Sequence, residues 1–192
     1  MRVALGLKAR TGRAIAVAIG AAPLEVVERA QMRLLPEGAF APYHVAEALP
    51  ADARQASVDR DIAAARRLAE TGIRDVVDRL RNAGHEVCSF GVLTGGDMPP
   101  WSTDEIVAVH VRMHQAEGKL FRDVLIAGAR ACGFEPATLR EKMAHDDAAT
   151  LLRLEASELE SRLSSLGKRA GAPWGKDQKE ATLAAMVALA QA

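Results

Sequence analysis

Aromatic residues make up only 4% of the 192-residue chain, as two Trp, one Tyr and four Phe. Binding single-stranded nucleic acid by base stacking needs repeated rings along a groove, and so few argue against such a platform. Only two cysteines are present, Cys88 and Cys132. They lie in apolar contexts without CxxC spacing. That excludes a disulfide framework and suits free, buried thiols in a reducing compartment, the cytoplasm. Neither sign of charge is in excess, since 25 Lys and Arg balance 25 Asp and Glu. Proteins that live on phosphate backbones ordinarily carry a basic surplus, so nucleic acid enters only as a weakly signalled partner, met through a local stripe. No apolar run approaches the roughly 20 residues of a membrane span. The stretch from Ala14 to Ile19, followed by Gly20-Ala21-Ala22, mimics a secretory signal. It is short, and Val3, Leu5 and Leu7 already alternate ahead of it, so it reads as structure. GxGxxG, P-loop and GxSxG patterns are also missing.

What the sequence does have is a core. With 49% hydrophobic and 26% charged residues, a chain of this length fits one domain over residues 1–192, with a helical part from about 147. Val3, Leu5 and Leu7 mark a strand of period two. Thr11-Gly12 supplies a turn within a segment Lys8 to Arg13, and Ala14 to Ile19 returns as a second strand of a hairpin. A third strand is expected over Glu25 to Leu35. Pro36, Gly38, Pro42 and Pro50 then mark a loop from about 36 to 50, too irregular for a packed element. Ile62, Ala65, Ala69, Ile73, Val76 and Leu80 step by three and four residues, a long amphipathic helix over 52–82 that Gly84 stops. Glu86 to Leu93 is a strand, followed by a loop from Thr94 to Pro100. Ser102-Thr103-Asp104-Glu105 is a capping box opening a helix to Cys132, closed by Gly133. Residues 136–143 fit strand or helix. Leu151, Leu152, Leu159, Leu163 and Leu166 mark one further helix, and Asp177 to Ala190 the last. Hairpin strands first, then strands alternating with helices, imply an α/β fold with a mixed sheet and helices packed on it.

Two constellations could carry chemistry. On the helix 103–132, His110, His114 and Glu117 fall among Ile106, Met113, Phe121, Val124 and Ala131, on the stripe that should face the core. An isolated carboxylate there would cost several kcal/mol, so Glu117 must be paired, protonated or bound to a cation. Residues four and three apart share a helical face, which suits a metal or general acid/base site. A satisfied polar cluster, with Glu117 bonded to a buried histidine or a backbone amide, would look the same in sequence. The second constellation is Pro173-Trp174-Gly175-Lys176-Asp177-Gln178-Lys179-Glu180. Asp177 and Glu180, one turn apart, could share a divalent cation such as Mg²⁺ or Mn²⁺, or form an ordinary capping box. Lys8, Arg10 and Arg13 beside Gly6 and Gly12 give only a weak phosphate signal, and His44 beside Tyr43 could reach a cleft, although two prolines nearby favour a simple structural loop.

The strand Val3-Ala4-Leu5-Gly6-Leu7 with its hairpin, then strand, helix and strand, resembles the ribonuclease H-like fold, and especially the RuvC-type Holliday-junction resolvases. The stretch Ala116-Glu117-Gly118 through Gly133-Phe134 is similar in layout to the resolvase helix before the fifth strand. The last helix resembles the segment that carries paired acids, which implies metal-ligand roles for Asp177 and Glu180. In such nucleases the first strand ends in a metal-binding aspartate, and here that place holds Lys8. The strand Glu86 to Leu93 offers no glutamate at its end. The chain also resembles an uncharacterised bacterial family marked by His-x-x-x-His-x-Ala-Glu-Gly with Leu-Phe-Arg following, here His110, His114, Ala116, Glu117, Gly118, Leu120, Phe121 and Arg122. Its second mark is Pro-Trp-Gly-x-Asp-Gln-Lys, here Pro173, Trp174, Gly175, Asp177, Gln178 and Lys179.

Three readings follow. The first is a divergent metal-dependent phosphodiester hydrolase with an incomplete acidic site, using Glu117, Asp177 and Glu180 as cation ligands and His110 or His114 as ligand or acid/base. It requires the helices carrying them to converge. The second is a non-catalytic relative that binds a protein partner or forms a homo-oligomer. The third is a nucleotide binder akin to actin-like phosphotransferases, which lacks its diagnostic phosphate loops.

Overall fold

The structure is a computed structural model that describes all 192 residues. Its centre is a five-stranded sheet in the order β3-β2-β1-β4-β5. Strands β1 (Arg2–Arg10), β2 (Arg13–Ala21) and β3 (Leu24–Arg33) form an antiparallel meander. Gly12, at φ +70°, makes the first turn, where a Cβ would be strained. Strand β4 (Glu86–Thr94) returns parallel to β1, and β5 (Ala137–Arg140) parallel to β4. Each parallel return needs a crossover, supplied first by α1 (Pro42–Glu47) and α2 (Ala51–Asn82), then by α3 (Thr103–Val107) and α4 (His110–Ala131). A 3₁₀ turn (Glu141–Met143) leads to α5 (Ala144–Leu152), α6 (Ala156–Ala170) and α7 (Lys176–Gln191). The mixed sheet with helices on it is the architecture expected from the sequence.

Period-two alternation divides the strands between two cores. Val3, Leu5 and Leu7, with Ala14, Ala16 and Ala18, pack against α2 and α4. Ile15, Val17 and Ile19 pack on the other face, against α5, α6 and α7. Alanine richness has a use here. Helix α7 buries Ala181, Ala184, Ala185 and Ala188, and small residues let its backbone approach the sheet closely. A Cβ on Gly6 would lie 1.8 Å from the Ala181 carbonyl oxygen, and one on Gly91 would lie 2.1 Å from that of Ala184. Both glycines are therefore needed for close approach.

Several expectations need correction. The first strand does not end at Lys8 but runs to Arg10. The segment 36–50 holds α1, because Pro42 sits at the helix start, where a missing N–H costs nothing, and buries itself with Tyr43 and Ala46. The helix expected from 103 to 132 is two. Ser102 and Glu105 form the anticipated capping box, but Val109 is extended at φ −139°, so α4 restarts at His110. The leucine pattern 151–166 also spans two helices, broken where Arg153 takes a left-handed φ of +54°. The ambiguous segment 136–143 is β5 followed by the 3₁₀ turn. Both cysteines are free but half-buried.

The Pro-Trp-Gly motif is largely structural. Trp174 lies on Gly167 of α6, where a Cβ would meet the indole at 2.3 Å. From β3, the Arg29 guanidinium donates to the carbonyls of Ala170, Gly171 and Pro173 at 2.8, 2.9 and 2.6 Å. It thereby satisfies acceptors left free at the end of α6.

Candidate functional site

Two polar clusters lie towards the carboxyl end of the parallel strands, one associated with each face of the sheet. The first centres on Lys8. Even-numbered positions of β1 face α7, so Lys8 is carried into that layer and is 0% exposed. Its ammonium pairs with Glu141 of the 3₁₀ turn and, at 2.9 Å, with Glu180 of α7. These contacts are at ion-pair range without hydrogen-bond angles, so charge neutralisation is what holds the lysine. Next to it, Arg10 donates to both oxygens of Asp177, at 2.9 Å from Nε and 2.5 Å from Nη2 to Oδ1, and at 3.0 Å from Nε to Oδ2. Those hydrogen bonds hold the Asp177 carboxyl below its ordinary range, against the opposing effect of burial.

The capping-box reading of Asp177 and Glu180 needs correction for the same reason. Gly175 precedes the helix, Gln178 reaches back to its N–H at 3.0 Å, and Asp177 is turned to Arg10 instead. Two of the cations in the first hairpin, Lys8 and Arg10, are likewise spent on internal carboxylates. This disposes of their weak phosphate signal.

The second cluster is on the other side. Glu117 is 2% exposed on α4, at the middle of the apolar arc, and its Oε1 accepts from Nδ1 of His44 at 2.8 Å. The burial of Tyr43, reinforced by the Glu117 charge, pushes the neighbouring phenol's pKa up. His110 and His114 stand at the exposed rim, one turn apart, with Nε2 atoms 3.0 Å from each other. His44 completes a triad in which one ligand-type nitrogen from each ring lies within 4.8 Å of the others. Ring centroids are 5.2 Å apart for His44 and His110 and 4.9 Å for His44 and His114.

Of the sequence candidates, then, His110, His114 and Glu117 come together, and so do Asp177 and Glu180. The two groups sit on helices that pack against opposite faces of the sheet, so Glu117 does not join the other acids. Sequence reading underrated His44, whose only signal was Pro42-Tyr43-His44 at a helix start. It missed Glu141, which lies on a turn with no motif.

A cleft of about 580 Å³ runs between the clusters, with His114, Gly118 and Arg122 of α4 on one wall, Thr94 to Met98 at its edge, and Arg140, Glu141 and Lys142 opposite. Glu141 also lines a second cleft of about 750 Å³, with His145, Trp174, Lys179 and Glu180. Arg122 is the notable group. Its side chain is 18% exposed, its nearest carboxylate is Glu141 at 3.7 Å, and it is cradled by two glycines. A Cβ on Gly95 would lie 2.5 Å from the guanidinium, and one on Gly118 would lie 3.2 Å away.

Neither a family model nor a curated protein matches the chain. Solved structures do. Thermus thermophilus RuvC in complex with a Holliday junction substrate superposes with a TM-score of 0.51 at 10% identity, over 97% of this chain and 92% of that one. A second structure of T. thermophilus RuvC gives 0.50 at 11% identity, over 96% and 92%. The fold is ribonuclease H-like. Nucleases of this fold are expected to hold divalent cations at the end of the first strand, and the residues here do not fit one. The Lys8 ammonium already supplies the positive charge between Glu141 and Glu180, and Arg10 holds Asp177. A hard cation needs those oxygens free. No helix is long and apolar enough to cross a membrane.

Proposed function

We propose that this ribonuclease H-like protein takes a phosphate-bearing substrate, nucleic acid in the first instance, into the cleft beside Arg122, and that it does so without a two-metal centre at the end of β1. The RuvC structure bound to a Holliday junction makes nucleic acid the first substrate class to test. Arg122 carries the reading. Its guanidinium makes no hydrogen bond to another protein group, although most of its side chain is buried and two glycines leave room for it. A planar fork of donors in that state suits a phosphate, which accepts two parallel hydrogen bonds. Arg140 and Lys142 add positive charge on the facing wall, while Lys8 removes the acidic site that in-line displacement between two ions would need.

The test is a fluorescence-polarisation titration of labelled branched and duplex DNA at two salt concentrations. Salt-dependent binding that weakens about tenfold or more in Arg122→Ala is expected, since a charged hydrogen bond contributes about 1.5–3 kcal/mol. Added Mg²⁺ should leave the DNA intact. Equal binding by the wild type and Arg122→Ala would refute the reading.

Assembly with a second copy is the alternative, favoured by Phe40 and Val111, which are 65% and 59% exposed. Phe40 stacks edge-on against His44 at 5.8 Å, and Val111 follows His110 in sequence. Light scattering decides it: a monomer at high concentration removes this option.

A further inference from the structure

We infer that His44, His110 and His114 form a binding site for one zinc-type transition-metal ion, with Glu117 as the positioning carboxylate behind it. Three imidazoles from two separate helices converge, and a single ligand nitrogen from each falls within 4.8 Å of the other two. Two nitrogens bound at 2.0–2.1 Å to a tetrahedral ion are about 3.4 Å apart. The observed spacing brackets that value, with the His110 and His114 nitrogens at 3.0 Å and the widest separation no more than 4.8 Å. His110 and His114 stand exposed at the rim, where side-chain rotation is least hindered.

The hydrogen bonding around the rings points the same way. A carboxylate only accepts, so His44 donates its Nδ1–H to Glu117, and the tautomer that results has a free lone pair on Nε2. Metal-bound histidines ordinarily donate their second nitrogen to a carboxylate or carbonyl in this way. A buried acid that fixes one ring, beside two further rings, is more than the pairing of a buried carboxylate requires. His44 alone would satisfy Glu117. His110 and His114 instead bring two lone-pair-bearing nitrogens to the same point, where neutral rings gain only one shared proton and protonated rings repel.

Three nitrogen donors suit zinc, cobalt, nickel or copper and are poor ligands for Mg²⁺ or Ca²⁺, which take oxygen. Both His110 and His114 are exposed, so a fourth coordination position would face solvent rather than protein, unlike a closed structural site. His114 also lines the cleft that holds Arg122. An anion entering that cleft can therefore approach the open position of the metal. That last step rests on the substrate proposed above; the metal site does not.

The experiment uses the full-length chain, stripped with chelator and dialysed, and titrated with Co²⁺ by visible absorption and with Zn²⁺ by calorimetry, in the absence of nucleic acid. One equivalent per chain is expected, with the intense visible bands of low-coordinate Co²⁺. His110→Ala and His114→Ala, both at exposed positions, should keep the wild-type circular dichroism and lose binding by at least about tenfold. Glu117→Gln should weaken it by about 10–100-fold, the usual effect of removing an outer-shell partner. No saturable binding by the wild type, or undiminished binding by His114→Ala, would overturn the site. Stoichiometric binding in a protein without DNA affinity would support the site and overturn the nucleic-acid reading instead.

Discussion

The two polar clusters solve the same electrostatic problem in opposite ways. On the α7 side, acidic groups are neutralised by a cation that belongs to the chain, the fully buried Lys8. On the α4 side, a buried acid is satisfied by one imidazole, and two more imidazoles are left facing solvent. In the first arrangement the carboxylates are already matched by cations of the chain, Glu141 and Glu180 by Lys8 and Asp177 by Arg10, although Glu141 keeps an exposed edge on both clefts. The second has donors to spare. A covalently attached ammonium cannot exchange and has no vacant position to coordinate a water, whereas an open set of imidazoles can take up an ion from solution. Residual chemistry at this end of the sheet is therefore to be sought among the histidines.

The largest effect should come from breaking the closed cluster. Lys8→Met leaves the buried Glu180 with only the exposed Lys176, 3.6 Å away, as a cation partner, and removing the buried partner of such a pair costs up to about 3–5 kcal/mol. Urea unfolding should show that loss. The double variant Lys8→Met/Glu180→Leu should recover most of it, because well-packed apolar residues replace buried pairs at little cost, while Glu141 is partly exposed and can turn to water. If the double variant is no better than the single, Lys8 is held by packing and not by charge. Lys8→Asp sharpens the contrast from the other side. It would gather three carboxylates, and Mn²⁺ should raise its melting temperature while leaving the wild type unmoved.

Next in size is a change that touches neither cluster directly. Gly6→Ala places a methyl group against the α7 backbone at Ala181, next to Glu180. Overpacking of this kind costs about 1–3 kcal/mol. Because α7 must shift, the pairing of Lys8 with Glu180 should loosen too, whereas the histidine cluster, on the opposite layer, should keep its metal affinity. A loss of Co²⁺ binding in Gly6→Ala would mean that the two sites are coupled through the sheet.

The histidine side gives the third prediction. Zn²⁺ at one hundred times its dissociation constant should stabilise the wild type by about 2.7 kcal/mol, and His114→Ala by far less. Thermal unfolding with and without metal measures it.

The unequal legibility of the two clusters has a physical basis. His110, His114 and Glu117 were visible because they interrupt a periodic helix, so their conflict with the apolar arc is local in sequence. The strands and long helices were readable for the same reason, period two in Val3, Leu5 and Leu7 and period 3.6 from Ile62 to Leu80. Lys8, Glu141 and Glu180 are brought together only by topology, across separations no pattern spans. A lysine at the end of a strand reads as solvent-facing until α7 is known to cover it. His44 failed differently. Three prolines around it suggested a loop, yet Pro42 starts α1, and only the packing of that helix on α4 carries its imidazole to Glu117. The break at Val109 was likewise hidden, since residues 106–113 are periodic on either side of it.

The smallest effect expected is also the one that separates surface pairing from the buried kind. Asp177 meets Arg10 in a two-pronged arrangement at the edge of the closed cluster, but the arginine side chain is 40% exposed. Solvent screening then limits the pair to about 1 kcal/mol or less, so Asp177→Asn should cost several-fold less than Lys8→Met. The pH dependence follows from the direction of the shift. Arg10 holds the folded-state pKa of Asp177 below its ordinary value, so the unfolded chain takes up this proton more readily than the folded one. The stabilisation is thus fully present above the ordinary aspartate pKa and is lost as the pH falls through the lower, folded-state value. Unfolding curves of wild type and Asp177→Asn should run parallel from pH 5 to 8 and converge in more acidic solution. A difference that stayed constant to the lowest pH would show that the asparagine perturbs packing at the start of α7 rather than the charge pair.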